Sequence, residues 1–202
     1  VRVLAEIPTR SSPDLRLGTL RRRELEAYAG LLGELGGVRT VLVTGDAPGR
    51  QAGAVGLATT AAAAGSRTAL LECDLASPTL ADALGLAVAP GLREYLLGEA
   101  AAEEILKPVA LAGPGSGAAT DAIVCVVAGR ASDEAAALLD SERLTRALAG
   151  LAETYELVVI DAPSVASGAT ALAAADAILV WTERDAPPPD LPVAATGLVV
   201  QV

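Results

Sequence analysis

The chain has 202 residues, enough for one α/β domain with a sizeable core. Apolar residues make up 52 % but aromatics only 2 %, with no Phe and one Trp, so the core has to be built from Ala, Val, Leu and Ile. The net charge of −10, from 15 basic and 25 acidic residues, excludes a domain that holds nucleic acid through its phosphates, and the lack of His excludes His-activated nucleophiles and most zinc chemistry.

Residues 1–20 read as a lead-in: a short strand-like piece in VRVLAEIP, then a Ser/Pro connector. Residues 21–202 read as the α/β domain. Basic residues cluster at Arg16, Arg21, Arg22 and Arg23, either as a solvated helix face or as a contact with anionic lipid. RRRELEAYAGLLGEL has Leu25, Tyr28, Leu31 and Leu32 at amphipathic-helix spacing, stopped by Gly36 and Gly37. VRTVLVTG reads as a buried strand, DAPGRQAG as a loop and AVGLATTAAAAG as a helix. TALLECD is a second strand, and SPTLADALGL a short helix with Ser77 and Pro78 at cap positions. GLREYLLGE and AAEEIL are further short helices, and residues 112–120 a flexible loop. AIVCVVAG is a strand, followed by a long helical segment interrupted near Asp140. ELVVIDAPSV, DAILVWTE and TGLVVQV are the remaining strands, with ATALAAA a helix between the first two. APPPDLP cannot be helical in its interior.

Strands alternating with helices imply βαβ units and a mostly parallel sheet flanked by helices on both faces. Cys73 and Cys125 sit inside apolar runs that read as strands and are expected to be buried free thiols. No run of eighteen uncharged apolar residues occurs, so no segment is expected to span a membrane, and no signal peptide is visible.

Ligands of parallel α/β sheets sit at the carboxyl ends of the strands. That draws Thr44–Gly53, Glu72–Ala76 and Asp161–Ser164 together. VLVTGDAPGRQAGAV has the strand–loop–helix form of a Walker A phosphate loop. Such a loop needs glycines so that N–H groups can wrap a phosphate, a Lys for the β and γ phosphates, and a Ser or Thr for Mg²⁺. Gly49 is in place, but the positions for Gly, Lys and Ser/Thr hold Gln51, Ala52 and Gly53, and Ala54 follows where a second hydroxyl is common. Arg50 is the one cation in the loop, and Lys107, the chain's single lysine, lies far along the sequence. Glu72 and Asp74 leave a strand end two residues apart, on one face by alternation. They read as Mg²⁺- or proton-handling acids, or as solvated strand-end acids. Asp161 ends four apolar strand residues, as a Walker B acid does, and Asp161 and Asp74 are the candidate metal ligands.

These three segments, in this order, resemble the cytoplasmic kinase domain of bacterial tyrosine kinases that control capsule and exopolysaccharide assembly. That domain is related to the MinD- and ParA-type P-loop ATPases. The resemblance runs over residues 1–184 through VLAEIP, ELEAYAGL, TVLVTGDAPG, LLECDLASPTLADALGL, GLREYLLGE, YELVVIDAPSV and ADAILV. GLVVQV resembles the last core strand, which implies a place near adenine for Gln201. The resemblance implies ATP or ADP with Mg²⁺ as cofactors, and a cytoplasmic location at the inner face of the cell membrane. It also implies, as partner, a polysaccharide-assembly membrane protein or a second copy of the chain. Contact with the membrane would come only through such a partner or an upstream segment.

The departures bear on activity. The Asp-x-Asp-x-Arg motif reads Glu72-Cys73-Asp74-Leu75-Ala76. The Glu-x-x-Arg-x-x-Arg motif of ring assembly reads Glu26, Ala29 and Leu32, and no tyrosine cluster follows the last strand. Three readings stand: a regulatory pseudo-enzyme, a weak ATP-binding tyrosine autokinase or ATPase with Arg50 or a partner's residue replacing the lysine, and an unrelated α/β interaction module. The last would gain if the loop at residues 45–53 were packed shut against its own backbone.

Overall fold

The computed structural model describes residues 2–8, 20–111, 122–163, 169–184 and 195–202, apart from the side chain of Leu172. The expected flexible loop at 112–120, the proline-rich stretch and Arg16 lie outside the described residues. In chain order the elements are β1 (Val3–Ile7), α1 (Arg22–Leu35), β2 (Thr40–Thr44), α2 (Arg50–Ala63), β3 (Thr68–Glu72), α3 (Leu80–Leu84), α4 (Leu92–Leu97) and α5 (Ala102–Ile105). They continue with β4 (Lys107–Ala110), β5 (Ala122–Val126), α6 (Ala135–Leu139), α7 (Glu142–Thr154), β6 (Leu157–Asp161), α8 (Ala169–Ala174), β7 (Ala177–Glu183) and β8 (Gly197–Gln201). The break between α6 and α7 falls where Asp140 suggested, and Ser141 caps α7 by accepting the Leu144 N–H.

The strands form one sheet in the order β1-β8-β7-β2-β6-β3-β5-β4. Every pairing is parallel except the antiparallel edge pair β4–β5. Side chains alternate between two cores. Val41, Val43, Val159, Leu179 and Trp181 face α1 and α2, whereas Leu42, Val158, Ile160, Ile178 and Val180 face the side of α4, α6, α7 and α8. The central strands β2, β3 and β6 are buried at every residue, as a parallel sheet covered on both faces requires.

Four local expectations are corrected. The sheet begins inside the stretch read as a lead-in, because β1 pairs with β8 along Val3–Ile7. Lys107 belongs to β4, whose short length and Pro108 hid it. Four strand spacings separate β4 from β2, roughly 19 Å, so Lys107 does not reach the loop. In α1 the buried stripe is Glu24, Tyr28, Leu31 and Leu35, and Leu25 is exposed. Neither Ser77 nor Pro78 caps α3. The Glu72 carboxylate takes the N–H groups of Thr79 and Leu80 instead, both at 2.8 Å. Cys73 and Cys125 are buried and free, as expected.

Candidate functional site

The carboxyl end of β2 passes into the loop through Gly45, whose φ of +119° suits glycine, and where a Cβ would collide with the Trp181 carbonyl. The turn closes through the Arg50 N–H to Ala47 O at 3.0 Å, and α2 starts with the Gly53 N–H on Gly49 O at 2.8 Å. The first-turn N–H groups of Gln51 and Ala52 lie at the helix N-terminus, where no intrahelical carbonyl can take them. An open hollow of about 310 Å³ lies against this loop, bounded by Gly45, Pro48, Arg50, Gln51, Thr79 and Pro163 among others. The loop is therefore not packed shut against its own backbone.

Arg50 is one of the residues that bound this hollow, and it pairs with Asp161, which is fully buried. β6 neighbours β2, so the Asp161 carboxylate arrives beside the first turn of α2, and Arg50 Nη1 donates to Asp161 Oδ1. The two side chains are only 10 % and 1 % exposed. Burial pushes the Asp161 carboxyl up to about 6, against the Arg50 charge, which pulls it down, and with Glu72 adding to the rise. The neighbouring Cys73 thiol is pushed well up, by burial first and then by Asp161. Asp161 Oδ2, Thr44 Oγ1 and Gln201 Oε1 are buried atoms without a hydrogen-bond partner among the described residues.

The other candidate residues have different duties. Glu72 is fully buried. Its Oε1 accepts from Thr79 N, Leu80 N and, at 3.3 Å, Gln51 Nε2, while Oε2 accepts from Ala128 N at 2.9 Å. It thus pins β3 to α3 and to the turn after β5, with both of its oxygens accepting hydrogen bonds. Gln51 also donates to Thr79 Oγ1 at 2.8 Å. Asp74 Oδ1 accepts the Ser77 N–H at 2.9 Å, a turn bond. Ala52 is half-buried, and Ala54 is a core residue that presents no side chain to the hollow. Gly53 lies under the Trp181 indole, so that a Cβ there would come within 2.6 Å of Cε2 and Cη2. Gln201 packs its amide against Gly49, where a Cβ would come within 2.6 Å of its Cδ.

Thr44 opens the candidate loop segment in the sequence reading, whereas Trp181 and Thr79 escaped it. Trp181 could not have been found there, because only the pairing of β7 with β2 brings it to the site.

These residues do not fit Mg²⁺. One Asp161 oxygen is engaged by a guanidinium that would repel a cation, Glu72 is spent on N–H donors, and Gly53 offers no hydroxyl. Among the described residues no group of three or more metal-ligating side chains gathers. The Glu72 bonds are themselves testable. Glu72→Gln turns one acceptor into a donor facing a backbone N–H, and should lower stability by about 1–3 kcal/mol. A urea midpoint no lower than that of the parent would deny Glu72 this role.

The fold and the site's place at the strand ends define a P-loop NTPase-type α/β domain. No protein-family model matches the chain, and no curated protein matches it. Solved structures do. The kinase domain of Escherichia coli tyrosine kinase Etk superposes with a TM-score of 0.81 at 16 % identity, covering 100 % of this chain and 90 % of that one. The BceF tyrosine kinase domain gives 0.78 at 20 % identity, covering 98 % and 92 %. The septum site-determining protein MinD from Pyrococcus horikoshii OT3, complexed with Mg-ADP, gives 0.57 at 18 % identity, covering 73 % and 58 %. The chain shares the fold of these proteins.

Proposed function

We propose that this domain is a regulatory pseudo-enzyme of polysaccharide biosynthesis, with a tyrosine-kinase type of fold and no phosphoryl transfer. The observation that carries this reading is the buried Arg50–Asp161 ion pair. In a working site the strand-end acid serves a metal, and here its charge is neutralised from within the loop. Losing a preorganised cation at the transferring phosphoryl group costs about 10²–10³ in rate, and Gly53 stands where the loop would carry a metal-binding hydroxyl. The partner in this reading is a polysaccharide-assembly membrane protein or a second copy of the chain. The domain works in the cytoplasm at the inner membrane face, through that partner or an upstream segment. No helix among the described residues is long and apolar enough to cross a membrane.

The openness of the hollow favours a second reading, a weak ATP-dependent autokinase in which Arg50 serves the phosphates. Release of ADP from ATP with Mg²⁺, followed over hours beside a blank, separates the two. We expect no turnover above the blank and no phosphotyrosine. Metal-dependent turnover abolished by Arg50→Gln would establish the autokinase instead.

A further inference from the structure

We propose that a cavity on the opposite face of the sheet from α2, between α4, α5 and α7, binds a free α-amino acid with a large apolar side chain. Arg146 takes its carboxylate, Glu103 its ammonium, and the side chain lies on the sheet. The site is separate from the loop after β2, and the proposal does not rest on the pseudo-enzyme reading.

The cavity has a volume of about 260 Å³. Its lining includes Leu71 of β3 and Val126 of β5, which are register partners in the core on the side away from α2. Helix cover is short here, because α4 and α5 run for only six and four residues. α4 packs on α5 and α6, whereas α7 packs on α8 and β6. Between the two groups the sheet is left accessible. On the α7 side the lining positions Ala147, Gly150, Leu151 and Thr154 fall on one helix face. Small residues keep the space open, and a Cβ at Gly150 would meet no atom within 4 Å. The volume lies just below the roughly 300–1,000 Å³ of drug-sized pockets, which suits a body the size of one large side chain.

The polar groups select the occupant. Arg146 and Glu103 both line the cavity and both are exposed. Neither makes a hydrogen bond or ion pair among the described residues, with the other or with anything else. Opposite charges left unpaired on one cavity match a ligand that carries both. An acid without the ammonium would bring a second negative charge beside Glu103, and an amine without the carboxylate a second positive charge beside Arg146. Tyr95 also lines the cavity, and it is fixed from outside. The Arg143 guanidinium stands 5.7 Å from its ring centroid, and Arg143 Nη1 donates to its carbonyl at 2.8 Å. That aromatic surface is thus in place before a ligand arrives, which lowers the cost of binding. Because the two charges stand in water, each contributes modestly. The apolar body supplies most of the affinity, and the charges supply the selection.

The test is titration calorimetry of the whole chain with phenylalanine, beside alanine, 3-phenylpropionate and 2-phenylethylamine. Phenylalanine is expected to bind with a dissociation constant of about a millimolar, as suits roughly a dozen non-hydrogen atoms in a cavity open to solvent. 3-Phenylpropionate and 2-phenylethylamine should each bind about threefold weaker or more, and alanine, which lacks the apolar body, should show no binding. Gly150→Leu puts its side chain where a Cβ meets no atom. It should abolish phenylalanine binding in a chain that melts no lower than the parent, since leucine also favours the helix. Arg146→Gln should weaken phenylalanine without weakening 2-phenylethylamine, and Glu103→Gln should weaken phenylalanine without weakening 3-phenylpropionate. Both replace exposed side chains, so the fold is kept. No binding of phenylalanine at about tenfold that concentration, analogues that bind as well as phenylalanine, unchanged affinity in the folded Gly150→Leu chain, or charge variants that affect all ligands alike would each overturn the proposal. Should Gly150→Leu fail to fold, the two charge variants decide by themselves.

Discussion

Replacing Arg50 with Ala should cost the fold about 3–5 kcal/mol, the usual result of removing one partner from a buried ion pair. At this chain length that corresponds to a fall in Tm of roughly 6–20 °C. The reason is the position of Asp161, whose side chain is 1 % exposed and whose second oxygen has no partner among the described residues. Without the guanidinium, the carboxylate must stay charged in a dry site or take up a proton. Asp161→Asn in the same chain should recover most of the loss, because a neutral amide has far less to lose on burial. The dependence on pH has a definite sign. The Asp161 carboxyl is raised to about 6 from an ordinary 3.8, so between those values the folded chain holds more protons than the unfolded one. Stability from this group therefore rises as pH falls through that window and is lost as pH climbs above it. Removing Arg50 takes away the influence that pulls the carboxyl down. The deficit of Arg50→Ala at pH 7 should accordingly shrink on acidification to pH 5. Thermal melts of the parent, Arg50→Ala and Arg50→Ala with Asp161→Asn at the two pH values check this. Equal melting temperatures for the parent and the single variant would show that the pair does not hold the site together.

Restoring the missing hydroxyl should also damage the protein. Gly53→Ser places a Cβ against the Trp181 indole, a side chain only 2 % exposed and walled in by the core that contains α1 and α2. Overpacking of this kind typically costs about 1–3 kcal/mol, and a ring with nowhere to turn puts this site towards the upper end. Ala52→Lys should be tolerated, because Ala52 is half-buried at the helix start and a lysine can lead its ammonium out to water. Rebuilding both positions at once is therefore expected to give a chain less stable than Ala52→Lys alone. Trp181→Leu would show whether the indole is the cause. It is destabilising by itself, but in its presence the added penalty of Gly53→Ser should fall by about 1 kcal/mol or more, the coupling expected of residues in contact. Additive urea midpoints would mean that the two residues do not compete for the same space. A side chain at position 53 is thus opposed by the Trp181 indole that β7 lays against α2.

The alternation of short Val-, Ile- and Leu-rich runs with Ala-rich helical stretches was legible because each run is long enough to show its own period. The strand–loop–helix after β2 and the absence of Lys and Ser from it were legible for the same reason, since the motif is contiguous. β4 was not, because four residues containing Lys107 and Pro108 have no period to read. The burial phase of α1 slipped by a residue, because Glu24, the acid that accepts the Arg21 N–H, took a core position that hydropathy assigned to Leu25. Glu72 looked like a free acid because its four partners include backbone N–H groups, which carry no signature in the sequence.

By itself, the sequence determined that this is a mostly parallel α/β protein with a strand–loop–helix after β2 whose loop, residues 45–54, holds no Lys, Ser or Thr. These are properties of residue type at close spacing. Tertiary structure alone decided what fills the gap. Arg50 reaches Asp161 across 111 positions of chain, and Trp181 covers Gly53 from a strand laid beside β2 on the side opposite β6. Both depend on the order β7-β2-β6-β3. That order is set by how whole strands and helices share two cores, and no local stretch of the chain encodes it.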